Sequence, residues 1–271
     1  EEPEKIKAEL VKLNTEAPID EILDLDARRR TVLTKVEALK AERNEGSKQV
    51  SRTKDADERN ALIAKMRELG DEIAELDEQQ RKMDAELLDL QLRVPNIPLP
   101  EVPIGPDDSC NVVVREVGEH RQFDFTPKPH WEIGEELGLI DFERGIKVGG
   151  ARFYVFRGQA SRLQRALIAW MLDVHIEKHG YQEVTPPYLV LGEMLVGTGN
   201  LPKFGDALFR DIIEDRWLIP TAEVPVTNLY RDEILDESLL PIYHVAHTPC
   251  FRREQLSGGR DVRGIKRGYQ F

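Results

Sequence analysis

The sequence predicts an α+β protein in two parts, an antiparallel coiled-coil helical hairpin followed by a mixed domain on an antiparallel sheet. Three observations carry this expectation. A seven-residue apolar repeat runs through the first ninety-odd residues, four prolines crowd Val94–Pro103, and beyond them short apolar runs are spaced by turn residues with few helices between. The expected division is residues 1–100, the helical arm with its proline-rich linker, and residues 101–271, the globular part.

The chain has 271 residues, of which 40% are apolar and 32% charged, enough apolar surface for a core and too much for a wholly disordered chain. No unbroken apolar run approaches the roughly 20 residues that a membrane-spanning helix needs. The chain opens on Glu-Glu-Pro, with no secretory signal in view, and two cysteines, Cys110 and Cys250, do not make a disulfide framework. A cytoplasmic location is the expectation. The net charge of −12 excludes a protein that coats nucleic acid through bulk charge. That charge is uneven. Residues 28–59 hold ten basic and six acidic side chains, a net of +4, whereas residues 60–93 hold five and nine, a net of −4.

Taken in order, the first element is the hairpin. Between Pro18 and Pro95 there is no proline and only two glycines. The first stripe is Ile22, Leu25, Val32, Val36, Leu39 and Val50, with Arg29 and Arg43 at two of its positions. The second is Leu62, Met66, Leu69, Ile73, Leu76, Met83, Leu87 and Leu90, with Gln80 as its polar member. Spacings of three and four sustained this long mean helices meeting along a narrow seam. Polar Ser51–Asp57 interrupts the stripe and marks the turn, so each helix runs on the order of 40–50 Å at ~1.5 Å per residue. The prolines of Val94–Pro103 then end the helix and stiffen the linker. Asn111–Val117 reads as a strand and Trp131–Leu139 as a short helix. Ala160–His179 reads as a longer helix, with Leu163, Leu167, Trp170, Met171 and Val174 on one face and Gly180 as its C-cap. Tyr181–Val184 runs extended into Pro186-Pro187, and Trp217–Pro220, Tyr243–Phe251 and Ile265–Phe271 are further strand candidates.

Three stretches could carry chemistry. Cys250–Phe271 reads as strand, glycine-bearing loop and strand, with five arginines and a lysine between positions 252 and 267. Alternation sends Arg252 and Glu254 to one face and Arg253 to the other. A guanidinium and a carboxylate fixed side by side suit a phosphate and an amine donor, although a solvated basic hairpin fits the same composition. Thr221 and Glu223, two apart in extended chain, point the same way and could grip an ammonium group; a turn between Pro220 and Pro225 is the alternative. Val196–Phe204 carries Gly197 and Gly199, which could admit a ligand to the backbone or simply form a loop. His175 with His179, and His244 with His247, lack the context of metal pairs, no Cys-x-x-Cys occurs, and no metal ligands are expected within this chain.

Together these pieces resemble the seryl-tRNA synthetases of bacterial type. Ile219–Leu235 looks like the family's serine-site segment. Phe251-Arg252-Arg253-Glu254, followed by Asp261-Val262-Arg263-Gly264 and ending at Gln270-Phe271, looks like class II motif 2, and His179–Pro187 looks like motif 1. Trp131–Phe142, Arg152-Phe153-Tyr154, Gly197–Phe204, the arm and the linker also read as family sequence. The resemblance implies a class II catalytic domain on an antiparallel sheet and an arm that grips serine tRNA, with selenocysteine tRNA as a second candidate. It implies formation of seryl-adenylate from L-serine and ATP with Mg2+, transfer of the seryl group to tRNA, and a homodimer through motif 1. Matched position by position, Arg252 and Arg267 would be the catalytic residues. Arg252, Glu254, Arg267 and Phe271 would bind ATP, and Thr221 and Glu223 would bind serine. Among the basic side chains of the arm, Arg28, Arg29, Lys35, Arg43 and Arg52 are the candidates for tRNA contact.

Three departures from the family accompany the resemblance. Motif 3, with its second ATP-binding arginine, does not occur before Phe271, so the expectation is a partial chain, incomplete at its C-terminus and inactive alone. Gln255–Gly259 differs from the usual motif 2 loop, and Tyr269 stands where the family has His. A non-catalytic paralogue, or an inactive fragment that binds tRNA, is the alternative function. Retention of Arg252, Glu254, Glu223 and Phe271 argues for the catalytic reading.

Overall fold

Heptad spacing in the first half of the chain folds into paired helices. The computed structural model describes residues 2–254 and 263–271, which form two compact units, residues 1–118 and 119–271. The first unit holds α1 (Pro3–Val11), α2 (Ile19–Arg52) and α3 (Ala56–Leu92). At ~1.5 Å per residue, the 34 residues of α2 and 37 of α3 span about 51 and 56 Å, slightly more than the stripe suggested. They continue into the polar break, leaving a turn of only Thr53–Asp55. Asp55 caps α3, its carboxylate accepting from the N–H groups of Asp57 at 3.1 Å and Glu58 at 2.9 Å.

The seam is the predicted one. Leu25 and Val36 of α2 are 1% and 2% exposed, and Leu69, Ile73, Leu76 and Leu87 of α3 are buried. Each such side chain contributes ~1.5–3 kcal/mol on burial. Pairing is antiparallel, from Arg29–Asp84 near one end to Lys65–Glu42, at 2.7 Å, near the other. Gly46 is buried in α2 because Met66 fills the space beside it; a Cβ at position 46 would lie 2.3 Å from the Met66 Sδ. The α1 helix, with Leu10 buried, has no counterpart among the elements expected from sequence.

Asn111–Val117 corrects an expectation: it forms no strand. Val112, Val113 and Val114 are 68%, 78% and 96% exposed, and none of the described strands pairs with them. A β-branched run has nothing to stabilise it as a strand without a partner ladder.

The second unit runs α4 (His130–Glu136), β1 (Ile140–Asp141), α5 (Phe142–Gly149), β2 (Val155–Phe156), α6 (Gln159–His179), β3 (Gln182–Glu183), β4 (Leu189–Val190), α7 (Gly192–Gly197), β5 (Trp217–Leu218), α8 (Glu223–Thr227) and β6 (His244–Val245). Among the described residues the strands pair two by two. β1–β2 and β4–β5 are antiparallel as expected, with Ile140 opposite Phe156 and Val190 opposite Trp217. β3–β6 is parallel, Gln182 opposite His244 and Glu183 opposite Val245, which corrects a purely antiparallel reading. Strands so far apart in sequence need no hairpin, and the intervening chain supplies the crossover. Val190, Leu195, Leu208, Trp217, Ile219 and Val224 form the core of this unit, joining β4, α7, β5 and α8. Helix α6 ends on Gly180 in the left-handed conformation, φ 71°. None of its residues is buried; Leu163 and Trp170 are 60% and 63% exposed. No helix among the described residues is long and apolar enough to cross a membrane.

Candidate active site

Cys250–Glu254 is held on both sides by backbone. Cys250 exchanges hydrogen bonds with Phe271, at 2.7 and 3.0 Å, and the Arg252 N–H donates to Tyr269 O at 2.9 Å. The N–H groups between them turn the other way: Phe251 donates to Ile219 O and Arg253 to Ala207 O, each at 2.9 Å. Side chains alternate accordingly. Arg252 and Glu254 line a cavity of about 510 Å³ with Lys266, Arg267, Gly268 and Phe271. Arg253 lines a different cavity, of about 420 Å³, beside Phe209, Arg210 and Trp217. The expected separation of Arg252 from Arg253 is therefore present. Regular strand is not, since among the described residues the segments pair through a single bridge, Phe251 to Gln270. Gln255–Gly259 and Asp261-Val262, the family's motif 2 loop, lie outside the described residues.

Within the first cavity, positions are fixed by neighbours. The Arg252 Nε donates to Pro220 O at 3.0 Å, and its guanidinium sits 4.9 Å from the centre of the Phe271 ring. Arg267 reaches the Glu254 carboxylate at 3.3 Å. Glu254 has φ 42°, a backbone conformation uncommon outside glycine, and the Arg152 guanidinium donates to its carbonyl. Arg152 also lies over the Tyr269 ring at 5.4 Å, and Tyr269 packs edge-on against Phe153. Arg152 and Lys266 had no assigned role in the sequence. Lys266 could be suspected from the basic run, whereas the role of Arg152, more than a hundred positions from Glu254, is visible only in the fold. Three cations supply donors for phosphate oxygens, and one carboxylate supplies an acceptor for an amine.

Thr221 and Glu223 differ from the extended dipeptide expected. Glu223 is the first residue of α8, and the Thr221 Oγ1 accepts from the Glu223 N–H at 3.4 Å. Pro225 lies in the first turn of that short helix, where its missing N–H has no partner to lose. Thr221 is half-buried and Glu223 exposed. Neither lines the 510 Å³ cavity; Pro220, bonded to Arg252, is the link between them and it. Gly197 ends α7 against Asn228, whose Nδ2 donates to Met194 O at 3.0 Å and Val224 O at 2.8 Å, tying α7 to α8. Asp215 holds the other end of α7. Its carboxylate accepts from the Gly192 N–H at 3.0 Å and from Trp217 Nε1 at 2.7 Å, which hold it below the usual carboxylate range.

In the first unit the five basic candidates divide. Arg28 pairs with Asp24 at 3.0 Å, Lys35 with Glu72 at 2.7 Å, and Arg29 is drawn to Asp84 across the seam. Arg43 and Arg52 have no carboxylate within ion-pair reach among the described residues.

Residues 209–271 match the tRNA synthetase class II core domain (G, H, P, S and T). Arg252, Glu254, Arg267 and Phe271 all lie within that match, so the cavity they line falls in a stretch similar to the class II aminoacyl-tRNA synthetase core. Residues 1–98 match the seryl-tRNA synthetase N-terminal domain. The serine–tRNA ligase of Thermomicrobium roseum is 61% identical over 271 residues, all of this chain and 61% of the relative. That of Herpetosiphon aurantiacus is 57% identical, covering all of this chain and 64% of the relative. Among solved structures, the seryl-tRNA synthetase of Pyrococcus horikoshii complexed with ATP aligns over 99% of this chain and 65% of its own, with 36% identity and a TM-score of 0.82. The cytoplasmic serine–tRNA ligase of Naegleria fowleri in complex with AMP aligns over 99% and 62%, with 26% identity and a TM-score of 0.77. Over its whole length the chain is similar to seryl-tRNA synthetases, and it spans about three fifths of the length of these curated relatives.

Proposed function

We propose that this chain carries the tRNA-gripping arm and the motif 1 and motif 2 parts of a cytoplasmic serine–tRNA ligase. In the first step a carboxylate oxygen of L-serine attacks the α-phosphorus of ATP, the bond to pyrophosphate breaks, and seryl-adenylate forms. In the second, a hydroxyl of the terminal adenosine of serine tRNA attacks the seryl carbonyl and AMP leaves. The observation that carries this reading is the gathering of Arg252, Glu254, Arg267 and Phe271 around one cavity.

Their roles follow from charge. Arg252 and Arg267 face the α-phosphate, where negative charge builds during attack, so fixed guanidiniums lower the barrier without a protein nucleophile. The Glu254 carboxylate accepts from the adenine amino group, and the Phe271 ring offers a stacking face. Glu223 and Thr221 hold the serine ammonium. Mg2+ would supply charge neutralisation on the phosphates; the described lining, three cations to one carboxylate, fits it as an ion carried on ATP oxygens rather than one caged by this chain. ATP as the nucleotide is supported by the ATP-bound and AMP-bound relatives.

A homodimer through motif 1, His179–Pro187, completes the reading; the exposed apolar face of α6, the helix that runs into this segment and bears Leu163, Leu167, Trp170 and Met171, supports it. Arg28, Arg29, Lys35, Arg43 and Arg52 are the arm's basic side chains for serine tRNA, with selenocysteine tRNA tested as a second substrate. The experiment is serine-dependent exchange of pyrophosphate into ATP by the full-length protein. Exchange with serine is expected, and Glu223→Gln should raise the serine KM through loss of a charge-assisted contact of ~1.5–3 kcal/mol. Equal exchange with an unrelated amino acid, or an unchanged serine KM in Glu223→Gln, overturns this assignment.

A further inference from the structure

We infer that His130 is a positioning residue for Arg267, fixing the returning segment of motif 2 through one ring nitrogen. The inference rests on the reading above, in which Arg267 faces the α-phosphate of ATP. His130 opens α4 and lies 135 positions before the residue it touches: its Nε2 accepts a hydrogen bond from the Ile265 N–H at 3.0 Å. A backbone N–H can only donate, so Nε2 is the lone-pair nitrogen and the ring hydrogen is on Nδ1. The neighbouring residue is built around the same ring. Gly264 has φ +75°, and a Cβ there would lie 2.0 Å from His130 Nε2 and 2.6 Å from Cε1. Position 264 is therefore restricted to glycine twice over, by conformation and by room. Trp131, edge-on at 5.1 Å and 77°, holds the imidazole in that orientation.

What the bond fixes is the geometry of the cavity. Residues 264–267 are a turn rather than strand; among the described residues the Arg267 side chain reaches the Glu254 carboxylate at 3.3 Å, and the first backbone hydrogen bond back to Cys250–Glu254 is made by the Tyr269 carbonyl. Ile265 is two residues from Arg267, and Lys266 and Arg267 both line the cavity. The bond from α4 anchors the backbone of this turn, while the Glu254 carboxylate holds the guanidinium, so the two together set where Arg267 stands before ATP arrives. Misplacing a charge-stabilising group by ~1 Å can lower a rate by ~100-fold. The cavity thus draws on a histidine that is not among its described lining residues.

The test uses the full-length protein with His130→Gln, which keeps an acceptor oxygen near the Nε2 position, and His130→Leu, which removes it. In His130→Leu the kcat of serine-dependent pyrophosphate exchange should fall on the order of 10–100-fold, with the serine KM within about twofold of the parent. His130→Gln should recover exchange to within about threefold of the parent. Hydrogen–deuterium exchange of the peptide carrying Ile265 should quicken in His130→Leu and not in His130→Gln, a readout that needs no catalysis. Gly264→Ala approaches the same contact from the other side and should reproduce the kcat loss. The inference is overturned if His130→Gln is as impaired as His130→Leu, or if the Ile265 peptide exchanges equally in all three proteins. Absence of pyrophosphate exchange in the parent would instead defeat the functional reading, while the deuterium measurement still decides the positioning role.

Discussion

Arg252 and Arg253 are neighbours in sequence that face different cavities, and their replacement by lysine separates chemistry from surface charge. Lysine keeps the charge but loses the planar fork that meets two phosphate oxygens at once. Arg252→Lys should lower the adenylation rate by on the order of 100-fold or more, as loss of one preorganised donor does, while ATP binding weakens far less. Arg253→Lys should change little, and the reverse pattern in pre-steady-state adenylation would refute the pairing of residue with role. Asp215 makes a prediction of a different kind. Its hydrogen bonds from Gly192 and Trp217 lower its folded value below the ordinary one. The stability it contributes is therefore complete above the unfolded carboxylate pKa of about 4 and is lost as pH falls through the lower folded value. Thermal unfolding between pH 6 and pH 3 should show Asp215→Asn melting lower at pH 6 and converging on the parent below pH 4. Parallel curves would mean that the charge of Asp215 contributes nothing. At this scale the sequence placed Arg252 and Glu254 on one side of the chain, because alternation along extended chain is local. Arg152 was out of reach because nothing near it in sequence signals the distant carbonyl of Glu254.

The helical hairpin was legible element by element, since its seam depends on a repeat written directly in the chain. Every member of both predicted stripes, apart from Arg43, is buried or half-buried. Pairing with distant partners was not legible. The extended chain of β3 and β6 was legible, within 181–184 and 243–251, but their parallel pairing was not, since each strand's partner lies 62 positions away. The five-residue α8 was read as extended chain, with a turn between Pro220 and Pro225 as the alternative, although a first-turn proline is compatible with helix. Asn111–Val117 failed in the opposite sense, with strand composition and no ladder to join. The hairpin's charges also carry a prediction. Arg28 and Lys35 are neutralised within the arm, whereas Arg43 and Arg52 are not. Replacing Arg43 and Arg52 together by glutamine should weaken serine tRNA binding and flatten its dependence on salt, because fewer phosphate counterions are then released. Doing the same to Arg28 and Lys35 should have the smaller effect. Deleting Leu25–Leu90 should abolish that binding while leaving pyrophosphate exchange near normal, and collapse of exchange in a folded deletant would count against an arm devoted to tRNA.

For the molecule as a whole, surface apolarity and charge point to partners. A face bearing Leu163, Leu167, Trp170 and Met171, each 45% exposed or more, is unusual on a helix that stays in water. Trp170→Asp should convert the full-length protein from dimer to monomer in light scattering at micromolar concentration; an unchanged mass would place the subunit contact elsewhere. Net charge gives the complementary signal. With −12 overall, attraction to nucleic acid is confined to local basic surface, so binding should select an RNA with a projecting helix that reaches that surface over single-stranded RNA of equal length.

Met66 beside Gly46 has a consequence for how this arm can change over generations. The thioether occupies a notch that exists only because one residue on the facing helix lacks a side chain, so the two positions act as lock and key for helix register. Sliding α3 by one turn would bring Met66 against a full side chain and leave the notch empty. Lengthening or shortening of the arm is therefore permitted only by matched insertions or deletions in both helices. Among relatives, bulk at position 46 should appear together with a small residue at position 66, as a correlated substitution rather than two independent ones.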